Sequence, residues 1–278
     1  MEAPARDTLD ILLIQTSQAQ SKADNLDAAF DLLRRACAEA QTDLAVLPEM
    51  FPFYSADPKA MIKSTEAVPD GPLYRQLGAM AKELGIFLHA GSILEEGPEG
   101  RFNTSFVFNP QGAEIARYRK IHCFDITAPD GTIYRESDVF KAGDKIVTYD
   151  AKGFKLGCAI CYDLRFSELF LALQEEGVDA IVLPAAFTRQ TGRDHWQVLL
   201  RARAIETQAY LLAAAQTGDY DNATRATYGH SLVVGPWGQI IADAGEETGY
   251  VRAKLSADDI DKVRARIPMR AHRRIRGF

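Results

Sequence analysis

The sequence predicts an α/β fold of two related half-domains, each a sheet with helices on its outer face, packed sheet against sheet. Three observations carry that expectation. Short β-branched or apolar runs alternate with amphipathic stretches along the chain. Asp43-Leu-Ala-Val-Leu-Pro-Glu-Met-Phe51 reappears as Asp179-Ala-Ile-Val-Leu-Pro-Ala-Ala-Phe187. Ser105-Phe-Val-Phe-Asn-Pro-Gln-Gly-Ala-Glu-Ile-Ala116 reappears, in the same order, as Ser231-Leu-Val-Val-Gly-Pro-Trp-Gly-Gln-Ile-Ile-Ala242.

The elements follow in turn. Leu9–Ile14 reads as a strand, and Ala23–Ala40 as a helix with Leu26, Ala29, Phe30, Leu33 and Cys37 at helical spacing. Asp43–Leu47 is a strand, Leu73–Leu84 a helix, and Ile86–Ala90 and Ser105–Phe108 are strands. Asn109-Pro-Gln-Gly112 supplies a turn from which Ala113–Tyr118 returns. In the second half Phe154–Ile160, Ala180–Leu183, Tyr210–Ala215 and Ser231–Val234 read as strands, and Arg165–Glu175 and His195–Gln208 as helices.

Composition narrows the function. Hydrophobic residues make up 47% and charged residues 25%, as in an ordinary globule able to bury a full core. A net charge of −6 argues against nucleic acid as a partner. No run approaches the ~18 apolar residues of a membrane span. The opening Met-Glu-Ala-Pro-Ala-Arg-Asp has no basic start followed by an apolar stretch, so no secretory leader is expected. Cys37, Cys123, Cys158 and Cys161 have no regular spacing and read as reduced thiols of a cytoplasmic protein.

The chemistry centres on Lys155-Leu-Gly-Cys-Ala-Ile-Cys-Tyr-Asp-Leu-Arg-Phe-Ser-Glu-Leu169. An apolar run carries into Cys161, and Asp163, Arg165 and Glu168 follow on what reads as a new helix. A thiol at such a corner has backbone N–H groups at hand to hold a developing oxyanion. Comparing the two copies isolates Glu49: the second copy has Ala185 there, so the carboxylate is not needed by the fold. It reads as a base at a strand's C-terminal end, or else as a solvated charge. Lys120, in Arg117-Tyr-Arg-Lys-Ile-His-Cys-Phe-Asp125, is either a snorkelling surface residue or a cation held near the thiol. Five scattered histidines show no metal-ligand spacing, and a Cys161–His dyad with His122 or His230 stays an alternative.

These residues together resemble the carbon–nitrogen hydrolase (nitrilase) superfamily over roughly residues 8–274. The marks are Leu47-Pro-Glu-Met-Phe51, Arg119-Lys-Ile-His-Cys-Phe-Asp-Ile126, Arg135-Glu-Ser-Asp138 and Cys161-Tyr-Asp-Leu-Arg-Phe166. The resemblance implies one domain over residues 1–278 and a four-layer α-β-β-α sandwich. It implies a catalytic triad of Glu49, Lys120 and Cys161, with Glu136 as a further carboxylate beside the lysine. It also implies an oxyanion site made of Lys120 and the Tyr162 N–H. The reaction implied is hydrolysis of an amide, with water, through a cysteine thioester, and with no cofactor or metal.

Within the superfamily the chain is most similar to the branch of deaminated-glutathione amidase and omega-amidase. His195-Trp-Gln-Val-Leu-Leu-Arg-Ala-Arg-Ala-Ile-Glu-Thr-Gln208 and Tyr228-Gly-His-Ser231 carry that likeness. The implied substrate is a small 2-oxo acid amide, with nitrilase or carbamoylase activity as alternatives. An inactive scaffold that serves only as an interaction protein is a rival class. Arg165 either pairs with Asp163 at the helix start or contacts a substrate carboxylate. Arg189 and Arg193 are further carboxylate candidates, with Thr188 beside them. Tyr54 and Phe187 are pocket walls or packing. The basic tail Met269–Phe278 is expected at a subunit contact of a homodimer or higher homo-oligomer.

Overall fold

The computed structural model describes residues 7–18, 21–128, 130–221 and 225–275. In the first sheet, strands Thr8–Ser17, Leu44–Val46 and Phe87–His89 run parallel, and Gly100–Phe108 and Glu114–Arg119 follow antiparallel. The second sheet repeats this order. Phe154–Cys158, Ala180–Val182 and Tyr210–Ala213 are parallel, and Leu232–Val234 and Ile240–Asp243 antiparallel. Even the register irregularity recurs. It falls between Val107 and Phe108 in one half and between Val233 and Val234 in the other, the positions that the sequence repeat matches.

Each sheet is extended by an outer antiparallel strand. Thr148–Ala151, which follows the first half, pairs antiparallel with Phe154–Cys158 of the second. Gly249–Ser256, which follows the second half, pairs antiparallel with Thr8–Ser17 of the first. The second sheet is thus drawn from within residues 148–243, while the first also takes Gln216–Tyr220, Arg225–Tyr228 and Gly249–Ser256 from the second half. Gly249-Tyr-Val-Arg-Ala-Lys-Leu-Ser256 is half-exposed and mixes polar with apolar residues, so no apolar run announces it.

The pleat sorts side chains between two cores, because successive residues of a strand point to opposite faces. Leu9, Ile11 and Leu13 share a core with Leu156, Cys158 and Ile181 of the second sheet. Leu12 and Ile14 join Phe30 and Leu33 of helix Lys22–Glu39 and Leu73 and Leu77 of helix Pro72–Leu84. Phe170, Leu173, Trp196 and Leu200, from helices Ser167–Glu175 and Arg189–Thr207, belong to the first core. The first sheet thus packs against helices on one face and against the second sheet on the other. At ~25 cal/mol per Å² of apolar area, such burial is the main term opposing chain entropy.

Two helix limits differ from expectation. Cys161–Arg165 is a 3₁₀ turn, and the α-helix starts only at Ser167. The helix expected from His195 begins at Arg189. Gly192 broke the helical pattern in the sequence, yet a Cβ there would lie 2.5 Å from Tyr228, so close packing selects glycine. The tail folds back on its own chain: Arg273 bonds Glu175 at 3.1 Å, and Arg270 donates to the Glu175 carbonyl at 2.6 Å. Its last residues, 276–278, lie outside the described residues. Among the described residues no helix is long and apolar enough to cross a membrane.

One buried group makes the fold acid-sensitive. His89 Nδ1 meets Tyr149 Oη at 3.1 Å across the two sheets, and burial pushes its pKa down to about 3. The unfolded chain binds a proton near pH 6.5 that the folded chain refuses, so stability falls as pH drops from about 6.5 towards 3. The loss approaches about 4–5 kcal/mol at the lower end. His89→Gln is expected to flatten the pH dependence of the urea midpoint in this window by about one proton's worth of slope. An unchanged slope would show that other groups set it.

Candidate active site

Glu49 follows the strand Leu44–Val46 through Leu47 and Pro48. Its Oε2 accepts from the Ala186 N–H at 2.8 Å, and its carbonyl accepts from Gln216 Nε2 at 2.7 Å. Lys120 follows the strand Glu114–Arg119, and its N–H donates to the Asn103 carbonyl at 2.9 Å. Glu136 opens the 3₁₀ turn Glu136–Asp138, and the Phe124 N–H donates to its Oε2 at 2.7 Å.

These anchors bring three charges together. Lys120 Nζ donates to Glu49 Oε1 at 2.9 Å and to Glu136 Oε2 at 2.8 Å. Asn103 Nδ2 bridges the same two carboxylates, at 2.9 Å to Glu49 and 3.0 Å to Glu136. Glu49 is 3% exposed and Lys120 4%. Buried charges persist only when paired and hydrogen-bonded, and here each carboxylate receives both the ammonium and an amide. Burial works against the Lys120 ammonium, but Glu136 and Glu49 outweigh it and hold its pKa well above the ordinary value.

Cys161 stands at the corner between the strand Phe154–Cys158 and the 3₁₀ turn, with φ of 44°. That left-handed conformation is uncommon for a non-glycine residue and costs of order 1–3 kcal/mol. Surrounding bonds hold it. The Cys161 N–H donates to the Pro184 carbonyl at 2.9 Å. Asp163, fully buried, accepts from the Ile160 N–H at 2.9 Å, Tyr118 Oη at 2.7 Å and His122 Nδ1 at 2.7 Å. Asp163 thus ties the thiol's turn to the segment that carries Lys120. Its bonds run to His122 and Tyr118 rather than to Arg165. Burial first, then the Glu49 carboxylate, pushes the Cys161 thiol well above its ordinary range, and Lys120 offsets part of that. The resting group is a thiol beside Glu49.

The pocket over these residues has a volume of about 200 Å³. Tyr54, Phe124, Tyr134, Tyr162, Phe187 and Thr188 are among its walls. Tyr54 stacks on Tyr220 at 4.8 Å, and Thr188 Oγ1 meets Thr191 Oγ1 at 2.7 Å. The Tyr162 amide lies in the first turn after Cys161, where an N–H has no carbonyl behind it in its own helix. The arginines fall otherwise than expected. Arg165 lies outside the pocket lining, bonds His195 Nδ1 at 3.2 Å and sits over Phe187 at 5.1 Å. Arg189 pairs with Asp219 at 2.9 Å and, with Arg193, lines a neighbouring groove. The pocket's own arginines are Arg135 and Arg225.

The histidine alternative finds no support in the geometry. His122 is engaged by Asp163 and stacks on Phe166 at 3.6 Å, and His230 Nδ1 bonds Asp243 at 2.9 Å. Among the described residues no group of three or more His, Cys, Asp or Glu is placed to hold a metal. Asn103 and Asp163 are the polar residues whose place sequence reasoning missed. Asn103 sits inside a strand with no motif around it, and Asp163 reads as an ordinary helix-start acid.

Comparison with known proteins places the chain in a family. The chain matches the carbon-nitrogen hydrolase family model over residues 12–265. It is 38% identical over 263 residues to the deaminated glutathione amidase of Synechocystis sp., covering 94% of this chain and 96% of that one. It is 37% identical over 260 residues to omega-amidase NIT2 of Homo sapiens, covering 93% and 92%. The structure of Saccharomyces cerevisiae Nit3, a member of branch 10 of the nitrilase superfamily, superposes with a TM-score of 0.87 at 34% identity, covering 97% of each chain. With a family model spanning most of its length, and close relatives aligned nearly end to end, the chain belongs to the carbon-nitrogen hydrolase family.

Proposed function

We propose that the protein hydrolyses the amide of a small 2-oxo carboxylic acid through a thioester on Cys161, in the manner of a deaminated-glutathione amidase. The observation that supports this most is the shared lysine: Lys120 touches Glu49 and Glu136 at once, beside a buried thiol. Cys161 is the nucleophile, Glu49 the base and then the acid, Lys120 the oxyanion's cation, and Glu136 the group that orients Lys120. The Tyr162 N–H is the second oxyanion donor.

The steps balance within the site. The thiol proton passes to Glu49 as sulfur bonds to the amide carbon, and the oxyanion forms against Lys120. Glu49 returns the proton to the amine, and the C–N bond breaks. Water then attacks the thioester, giving one proton to Glu49; as the S–C bond breaks and the acid leaves, Glu49 passes that proton to the sulfur, which restores the thiol. Two carboxylates and one ammonium leave one net negative charge at rest. Each transfer keeps that total, so no buried charge is ever created without its partner.

Similarity to omega-amidase supports a second reading, a primary ω-amide such as 2-oxoglutaramate or 2-oxosuccinamate, and the same residues suit nitrilase or carbamoylase chemistry. We further propose one domain over 1–278, a cytoplasmic location with reduced thiols, no cofactor, and a homodimer or larger homo-oligomer. A panel of ω-amides, carbamoyl amines and nitriles, scored by ammonia release, tests the substrate class. The ω-amide of a 2-oxo acid is expected to exceed a nitrile of equal length by roughly a hundredfold in kcat/KM. Preference for the nitrile would reverse the assignment.

A further inference from the structure

Two cavities meet at three residues. The pocket at Cys161 and a neighbouring groove share Tyr134, Thr188 and Arg225 in their walls. Beyond that neck the groove runs past Arg189 and Arg193, with Asp130, Asp194 and Asp219 also along it.

The disposition of charge singles out Arg225. Arg189 is neutralised by Asp219 at 2.9 Å. Arg193 lines the groove but not the pocket, and Arg165 lies outside both cavities. Arg135 lines the pocket but not the groove, and donates to the Tyr134 carbonyl at 3.0 Å. The Arg225 guanidinium lies over the Tyr134 ring at 4.5 Å, and Asp130 is near enough to feel its field. Among the described residues no carboxylate comes within ion-pair distance of it. The Tyr220 hydroxyl takes a hydrogen bond from it, and a guanidinium has further N–H donors to offer a carboxylate.

Backbone pairing fixes its place. Arg225 opens the strand Arg225–Tyr228, which pairs antiparallel with Gln216–Tyr220 and sets Arg225 opposite Tyr220. Gln216 is the residue that bonds the Glu49 carbonyl. The catalytic end and Arg225 thus stand at the two ends of one short ladder.

We propose that Arg225 reads a carboxylate on the substrate, which makes the substrate class amides whose carboxylate reaches the neck while the scissile carbonyl meets Cys161. The proposal rests on the amidase reading of Cys161. The groove beyond gives a larger amine fragment a place to lie.

The test uses glutaramate, which carries the carboxylate, and glutaramide, which does not. Arg225→Gln is expected to raise KM for glutaramate by roughly tenfold or more, to leave kcat within about twofold, and to leave KM for glutaramide unchanged. Arg225→Lys should retain part of the effect. In Cys161→Ala protein, which reads binding without turnover, calorimetry should show the same roughly tenfold weakening of glutaramate on adding Arg225→Gln. Equal KM changes for both amides, no change for either, or no measurable glutaramate binding to the Cys161→Ala protein would overturn the role of Arg225. Should the binding difference appear while the unaltered protein releases ammonia from no amide, Arg225 stands and the amidase reading falls.

Discussion

Lys120→Met is expected to lower kcat by roughly 10³-fold or more, through two separate losses. The oxyanion loses the only ammonium among the described residues that line the pocket. The carboxylates of Glu49 and Glu136, now joined through Lys120 at 2.9 and 2.8 Å, are left with Asn103 between them. Two buried like charges do not both stay ionised, so one takes up a proton and the pair titrates upwards. The base is then spoiled along with the oxyanion site. Arginine is no substitute, since its planar fork does not fit a point-charge position. Activity within tenfold of the unaltered protein would show that Lys120 is structural only.

Glu49→Gln is expected to lower kcat by about 10²–10⁴-fold while making the thiol more acidic. The sign follows from what acts on Cys161. Burial raises its pKa, Glu49 raises it further, and Lys120 lowers it. Removing Glu49 leaves the lowering influence unopposed, so thiolate forms at lower pH. The pH midpoint for alkylation of Cys161 by iodoacetamide should move down in Glu49→Gln and up in Lys120→Met. A variant that reacts more readily with an alkylating agent yet turns over poorly separates nucleophile from base. Movement of both midpoints in the same direction would refute the assigned polarity.

The duplicated architecture was legible because strands buried in both halves repeat their letters. Leu-Pro at 47–48 and 183–184, and the Pro/Gly turns after Phe108 and Val234, are constrained by the same backbone. Glu49 was legible for the opposite reason, as a carboxylate present in one copy and replaced by Ala185 in the other. The outer strand Gly249–Ser256 was not legible. Its partner, Thr8–Ser17, lies at the far end of the chain, and local composition does not encode a distant partner.

The same limit applied within the site. Asn103 acquires its role only because the ends of three other segments bring Glu49, Lys120 and Glu136 to its amide. Arg165 and Arg189 stood next to marked residues in the sequence, and proximity along the chain suggested proximity in space. The strand end and the 3₁₀ turn instead direct Arg165 to His195, while Asp219 claims Arg189. Arg225 lies 64 positions beyond Cys161 and reaches the pocket through strand pairing with Tyr220.

The central claim is that the acyl group passes through Cys161. Rapid acid quench of the protein turning over an ω-amide, followed by peptide mass spectrometry, tests it most directly. The peptide containing Cys161 should gain the mass of the acyl group, labile to hydroxylamine, and Cys161→Ala should release no ammonia. Full turnover by Cys161→Ala, or an acyl adduct on Cys123 with Cys161 unmodified, would contradict the account.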